Sequence, residues 1–334
     1  MADAPQITIK EICHTIWRLT TRPSACTLLR ITSSGIRAMH YDIEFKSQND
    51  TCAGRLYVPD GKRRARAIVL AHGLCGTADS GLYEMADGFA QNGFHALVFD
   101  YRNFGKSGGN NRQHISVPMQ REDWQAALDC IRGLENIDPD HVGLWGFSFS
   151  GGHVLYMACE NACVRAVVSQ APVMDVHLSF VLGDLWRGEK ATSALHKKIS
   201  GNLWRFMIGR KTGFIPAVPE GDAYPVMLNA PEAPEYLAIA GPSFENRISI
   251  DSFFSGKLEK NNPTELSDIL MTPTLIQVGA KDEMSPQEPI KTFVRRTGPV
   301  VTASSYDCGH FGMLRGQLRR RAIAEAVAHF DRFL

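Results

Sequence analysis

Three residues whose types suit acyl-transfer chemistry lie far apart in the chain but share one local setting. Ser148 lies in GFSFSGG, Asp282 in VGAKDEMSP and His310 in YDCGHFGM, each just past a short apolar run. A serine hydroxyl is a weak nucleophile until a base takes its proton, and the base needs a third group to orient it. Serine, then acid, then histidine is the chain order of a nucleophile-elbow enzyme. Asp282 follows Ser148 by 134 residues and His310 follows Asp282 by 28. Glu283 and Asp175 are alternative acids, ranked behind Asp282 because the turn GAKD brings Asp282 nearest a strand end. The expected chemistry is transfer of an acyl group through a covalent ester on Ser148.

The elbow pattern G-x-S-x-G is met at its start and departed from at its end. Gly146 precedes Ser148, while Ser150 holds the last position and Gly151 follows. Small residues are needed where a strained strand-to-helix turn brings two backbones together, so Ser150 is expected to stand in for glycine. A tetrahedral intermediate also needs backbone N–H donors. One is expected from Phe149 and one from the loop AHGLCGT, at Leu74 with Cys75 as the alternative. His72 reads as a structural hydrogen-bonding residue. Cys75, Trp186 and Trp204 are the candidate substrate-binding side chains.

These positions require elements to present them. AIVLAHG, FHALVFDY, HVGLWGF and VRAVVSQ are short, nearly continuous apolar runs, as strands buried on both faces of a parallel sheet must be. AMHYDIEFKS and CAGRLYVPDG read as an antiparallel pair before them, and TPTLIQVGAKD and VTASSYDCGH as two further strands. MADGFAQNG, REDWQAALDCIRGL and GGHVLYMACE read as intervening helices, the second opening with acids that suit a helix start. LRRRAIAEAVAHFDRFL closes the chain with Ile323, Val327 and Phe330 on one stripe. Alternation of strand and helix predicts an open α/β sheet with its site at the carboxyl ends of the strands.

Two segments break the alternation. Residues 172–271 carry many large apolar side chains, among them Phe180, Trp186, Trp204 and Phe253, too many for a solvated loop. They are expected to form a helical cap or lid over an apolar acyl pocket. Residues 1–37 read as an N-terminal extension, helical at Ile9, Ile12, Ile16 and Leu19, that packs on the core or on a second subunit. The core is then residues 38–171 and 272–334.

Of 334 residues, 44% are hydrophobic and 21% charged, ordinary for a soluble domain. A formal net charge of +1 gives no general reason to expect nucleic acid or an anionic membrane surface as partner. The start MADAPQITIKE lacks the pattern of a secretory signal, and no run is long enough to span a membrane. Eight scattered cysteines read as free thiols of a cytoplasmic protein; Cys159 and Cys163 lack a second pair for a zinc site, and no metal is expected.

Taken together, HGLCGT, DYRNFGKSGG, GFSFSGG, GAKDEMSP and CGHFG resemble the α/β-hydrolase superfamily, most of all its dienelactone-hydrolase and X-Pro-peptidase-like branch. GFSFSGGHVL with VSQAP is also similar to the polyketide thiohydrolase and acyltransferase group. The resemblance spans roughly residues 38 to 334 outside the insertion. It implies an eight-stranded, mostly parallel sheet, a serine triad and no metal or organic cofactor. The expected function is hydrolysis of an ester, lactone or thioester of an apolar carboxylic acid, with a small apolar acyl substrate and possible homodimers. Acyl transfer to an alcohol, and carbon–carbon bond hydrolysis, are alternatives open to the same triad. A non-catalytic ligand receptor is the remote one.

Overall fold

The computed structural model describes residues 26–32, 38–60, 65–220 and 226–334. In chain order the core begins with strands β1 (Cys26–Thr32), β2 (Met39–Ser47), β3 (Asp50–Val58) and β4 (Ala65–Ala71). Helix α1 (Leu82–Gln91), β5 (His95–Phe99), α2 (Val117–Arg132), β6 (Ile137–Phe147), α3 (Phe149–Glu160) and β7 (Val164–Gln170) follow. The insertion contributes α4 (Val176–Arg187), α5 (Glu189–Ser200), α6 (Leu203–Met207), a ribbon of β8 (Phe214–Ile215) with β9 (Ile248–Ser249), and α7 (Ser252–Ser255). The chain then returns to the core with β10 (Thr274–Gly279), α8 (Gln287–Thr297), β11 (Val301–Tyr306) and α9 (Gly316–Phe333).

The main sheet has the order β1-β2-β3-β5-β4-β6-β7-β10-β11. Pairing is parallel from β5 through β11 and antiparallel among β1, β2, β3 and the β3–β5 junction. The eight expected strands are all present, and β1 adds a ninth at the edge by pairing along β2, from Cys26 opposite Phe45 to Thr32 opposite His40. Residues assigned to an N-terminal extension therefore join the sheet. The Ile9–Leu19 stripe lies outside the described residues.

The central strands are buried on both faces: Ile68, Val69, Leu70, Leu144 and Val167 expose nothing to solvent. Helices α1 and α9 cover one face, where Phe89 and Phe94 meet Phe330 of the closing helix. Helices α2 and α3 cover the other face. Helix α2 starts about one turn before Glu122 and Asp123, the acids that mark its opening in the sequence. Ser116 caps it by accepting from the Met119 N–H, and Pro118 occupies the first turn, where the missing N–H costs nothing. The insertion is mainly helical in its first part; beyond residue 212 it runs through short 3₁₀ turns, the β8–β9 ribbon and the single turn of α7. Among the described residues no helix is long and apolar enough to cross a membrane.

Candidate active site

Strand β6 delivers Ser148 to the turn before α3, with φ 56° and ψ −116°. That conformation is strained for a residue with a side chain and persists only where the surroundings over-determine it. Here the Ser148 N–H donates to the Gln170 carbonyl at 2.9 Å, and the Ser148 carbonyl accepts from Val173 N–H at 3.1 Å. Two glycines make room for the turn. A Cβ on Gly146 would lie 2.3 Å from the Ser150 carbonyl oxygen, and one on Gly73 would lie 2.6 Å from the Ser148 Cβ.

The loops after β10 and β11 bring the other two residues to the same point. His310 Nε2 lies 2.8 Å from Ser148 Oγ, and its Nδ1–H donates to Asp282 Oδ2 at 2.8 Å. The second oxygen of Asp282 accepts from the N–H groups of Met284 and Ser285, which fixes the carboxylate plane. All three side chains are buried. Burial acts to lower the His310 pKa, but the charge and hydrogen bond of Asp282, with the charge of Glu232, outweigh it and hold the imidazole above its ordinary value. With Nδ1 committed to Asp282, Nε2 of the neutral ring is the acceptor that faces the Ser148 hydroxyl. Neither alternative acid reaches the histidine. Asp175 caps α4 by accepting from Leu178 N–H, and Glu283 lines the cavity beside Met284.

Ser150 does more than occupy a glycine's place. It is fully buried, and its hydroxyl donates to the His72 carbonyl at 2.5 Å while accepting from the Tyr101 hydroxyl, which in turn accepts from Trp124 Nε1–H at 2.7 Å. This chain ties the nucleophile helix to the loop that carries Leu74. His72 itself is neutral and structural: burial draws its pKa down to about 3, its Nε2–H donates to the Ser80 carbonyl, and its ring stacks on Tyr236.

An apolar cavity of about 330 Å³ opens above Ser148. Leu74 and Phe149 reach it from the core, and Trp186, Leu195, Ile199 and Leu228 from the insertion. Trp204 and Cys75, the other side chains expected to line it, do not. Trp204 is 66% exposed on the outer surface of the cap. Cys75 is buried behind the loop, where desolvation pushes its thiol up to about 12, so it is neither a pocket wall nor a reactive thiolate.

Three residues of the insertion that sequence reasoning did not single out grip the loops of the site. Glu232 accepts from Glu283 N–H at 2.7 Å and Met284 N–H at 3.2 Å on one oxygen, and from His310 N–H at 2.6 Å on the other. Burial raises its carboxyl pKa against the pull of those donors. Tyr236 donates to the Leu74 carbonyl at 2.8 Å, and Asn261 Nδ2–H donates to the Phe149 carbonyl at 2.9 Å. No local signal marks them, because each acts through contacts made only after the insertion has docked. Among the described residues no cluster of His, Cys, Asp and Glu could hold a metal ion.

Residues 66–316 match the family described as the alpha/beta hydrolase fold. The quorum-quenching protein AidA of Acinetobacter baumannii is 32% identical over 300 residues, covering 88% of this chain and 95% of its own. Thiohydrolase aneE of Aspergillus aculeatus is 29% identical over 279 residues, 79% of this chain and 83% of its own. Among solved structures, DcsB in complex with its substrate analogue has a TM-score of 0.74 at 22% identity, covering 88% of this chain and all of DcsB.

Proposed function

The chain belongs to the α/β-hydrolase family, and on that premise we propose that it is a serine hydrolase of apolar carboxylic esters, lactones or thioesters. The observation that carries the reading is the pair of 2.8 Å contacts, Ser148 to His310 and His310 to Asp282, on the floor of an apolar cavity. Ser148 Oγ attacks the acyl carbon as His310 takes its proton, and the bond to the leaving group breaks as the imidazolium returns that proton. Asp282 keeps Nδ1–H pointed away from the serine and stabilises the imidazolium. Leu74 and Phe149 both line the cavity beside Ser148, and their backbone N–H groups are assigned to the oxyanion; losing one such donor typically costs on the order of 10²–10³ in rate. Water activated by the same histidine then releases the acid.

A relative named as a thiohydrolase supports an acyl bond as the target. The mostly apolar cavity wall supports an aliphatic acyl group held chiefly by burial, with Asp184, Arg187 and Glu283 also on the lining. The test is turnover of p-nitrophenyl esters of increasing acyl length, with Ser148→Ala as the blank. The expected result is turnover that climbs with chain length in the wild type and falls by on the order of 10⁶ in the variant. Equal rates from both proteins would remove Ser148 from the reaction.

A further inference from the structure

The overall charge of +1 conceals a strong local asymmetry. Between residues 176 and 211, seven Arg and Lys face two acids, Asp184 and Glu189, a net +5 that leaves −4 for the rest of the chain. Six of the cations, Lys190, Lys197, Lys198, Arg205, Arg210 and Lys211, are exposed, and none is ion-paired among the described residues. The same helices α4 to α6 present Val181, Leu185, Leu203, Trp204, Met207 and Ile208 to solvent, Leu185 at 71% and Met207 at 60%. With Phe180 and Trp186 at the cavity rim, this short stretch holds eight of the eleven exposed large apolar side chains among the described residues. Isolated exposed apolar residues are ordinary; a cluster of this kind marks a surface that meets something.

We propose that the outer face of α4–α6 docks on an anionic lipid surface, from which an amphiphilic acyl substrate enters the cavity. Three observations select this occupant. Unpaired cations interspersed with protruding leucine, methionine, isoleucine and tryptophan are the chemistry of a peripheral interfacial surface. A second copy seated symmetrically on the same patch would set +5 against +5, with only Asp184 and Glu189, already counted in that net charge, to relieve the repulsion. The patch also adjoins the cavity, since α4 and α5 line it with Phe180, Trp186, Leu195 and Ile199 and turn their other sides outward. The part of the insertion that grips the site, through Glu232, Tyr236 and Asn261, lies outside α4–α6, so docking leaves the catalytic loops undisturbed. The entry of substrate rests on the hydrolase reading, whereas docking itself does not.

The experiment is co-sedimentation with mixed phosphatidylglycerol–phosphatidylcholine vesicles, with pure phosphatidylcholine vesicles as reference. Wild type and Ser148→Ala are expected to bind the mixed vesicles equally, to ignore the pure ones and to dissociate as salt is raised. A Lys190→Gln/Lys197→Gln/Lys198→Gln variant should lose about 100-fold in partitioning. A Leu185→Ser/Met207→Ser/Ile208→Ser variant should lose binding at high and low salt alike. Both should keep wild-type turnover of a short soluble ester, which shows that they fold. Absence of wild-type binding at low salt, or equal binding by the charge variant, overturns the proposal. Binding to poly-glutamate but not to vesicles assigns the face to an acidic protein instead, and a dimer dispersed by the serine variant assigns it to a second copy. Vesicle binding without any ester turnover would sink the hydrolase reading and leave the docking surface standing.

Discussion

Replacing Glu232 by glutamine keeps the shape of a side chain that does not line the cavity and removes one negative charge beside His310. The carboxylate accepts three backbone N–H bonds, two on Oε1 and one on Oε2. A glutamine can orient its carbonyl toward Glu283 and Met284, but its NH₂ then faces the His310 N–H, two donors with nothing between them. The less costly orientation thus leaves one buried N–H unsatisfied, about 1–3 kcal/mol. If this is felt wholly in the placement of His310, the rate falls about 5- to 150-fold. A second effect has the opposite sense. Burial pulls the His310 pKa down while Asp282 and Glu232 raise it, with a net rise. Only the neutral imidazole is a base, so the acid limb of kcat/KM marks that pKa. Removing the Glu232 charge lowers the pKa and moves the limb toward lower pH. The variant should therefore be slower at its plateau and less inhibited by acid than the wild type. The assay is kcat/KM for a soluble p-nitrophenyl ester across about pH 5 to 9, with the melting temperature measured in parallel. A lower plateau with an unmoved limb would mean that Glu232 only braces the loops. A full rate with an unmoved limb would refute the reasoning altogether.

Other outcomes follow from the same geometry. In the wild type, the acid limb should lie above pH 6.5, the ordinary imidazole value, because Asp282 and Glu232 outweigh burial; a limb below it would contradict the charge balance drawn around His310. Ser150→Ala leaves the His72 carbonyl without its donor and the Tyr101 hydroxyl without its acceptor, about 1–3 kcal/mol for each buried group. Ester turnover and melting temperature should both drop, and Ser150→Gly should behave alike; tolerance of either would mean the hydroxyl chain is dispensable. Each methylene added to the acyl chain should raise kcat/KM about fourfold, from about 0.8 kcal/mol of burial, until the cavity is full. Ile199→Trp, which narrows the cavity, should move that limit to shorter esters without changing turnover of the shortest; an unchanged chain-length profile would exclude this wall from substrate contact.

What could be read from the sequence were features written locally. Apolar runs such as AIVLAHG and VRAVVSQ mark strands buried on both faces, and residues just past such runs fall at one edge of the sheet. Ser148, Asp282 and His310 could be placed near one another for that reason alone. Strand β1 was missed because CTLLRIT is short and follows a stretch read by its helical spacing. In sequence Ser150 reads as a filler because its partners, Tyr101 and Trp124, are 49 and 26 positions upstream. Glu232 lies in NAPEAPE, where nothing distinguishes it from a surface acid until it meets the two loops. Aromatic character alone points Trp204 toward the pocket; its neighbours in LWRFMIGRK, three cations within eight positions, are the signal for an outward face. A whole-chain charge total could not reveal that face, since acids elsewhere cancel it.

The spacing of the site's residues along the chain bears on what any shortened copy can do. Ser148 and its turn are complete early in the chain, yet the base comes 162 residues later, and the residue that seats the base comes 84 later. On the proposed reading, a copy cut short before residue 310 keeps Ser148 but lacks the histidine that would take its proton, along with α9 and its Phe330 contacts to Phe89 and Phe94. Such incomplete copies are expected to turn over no ester.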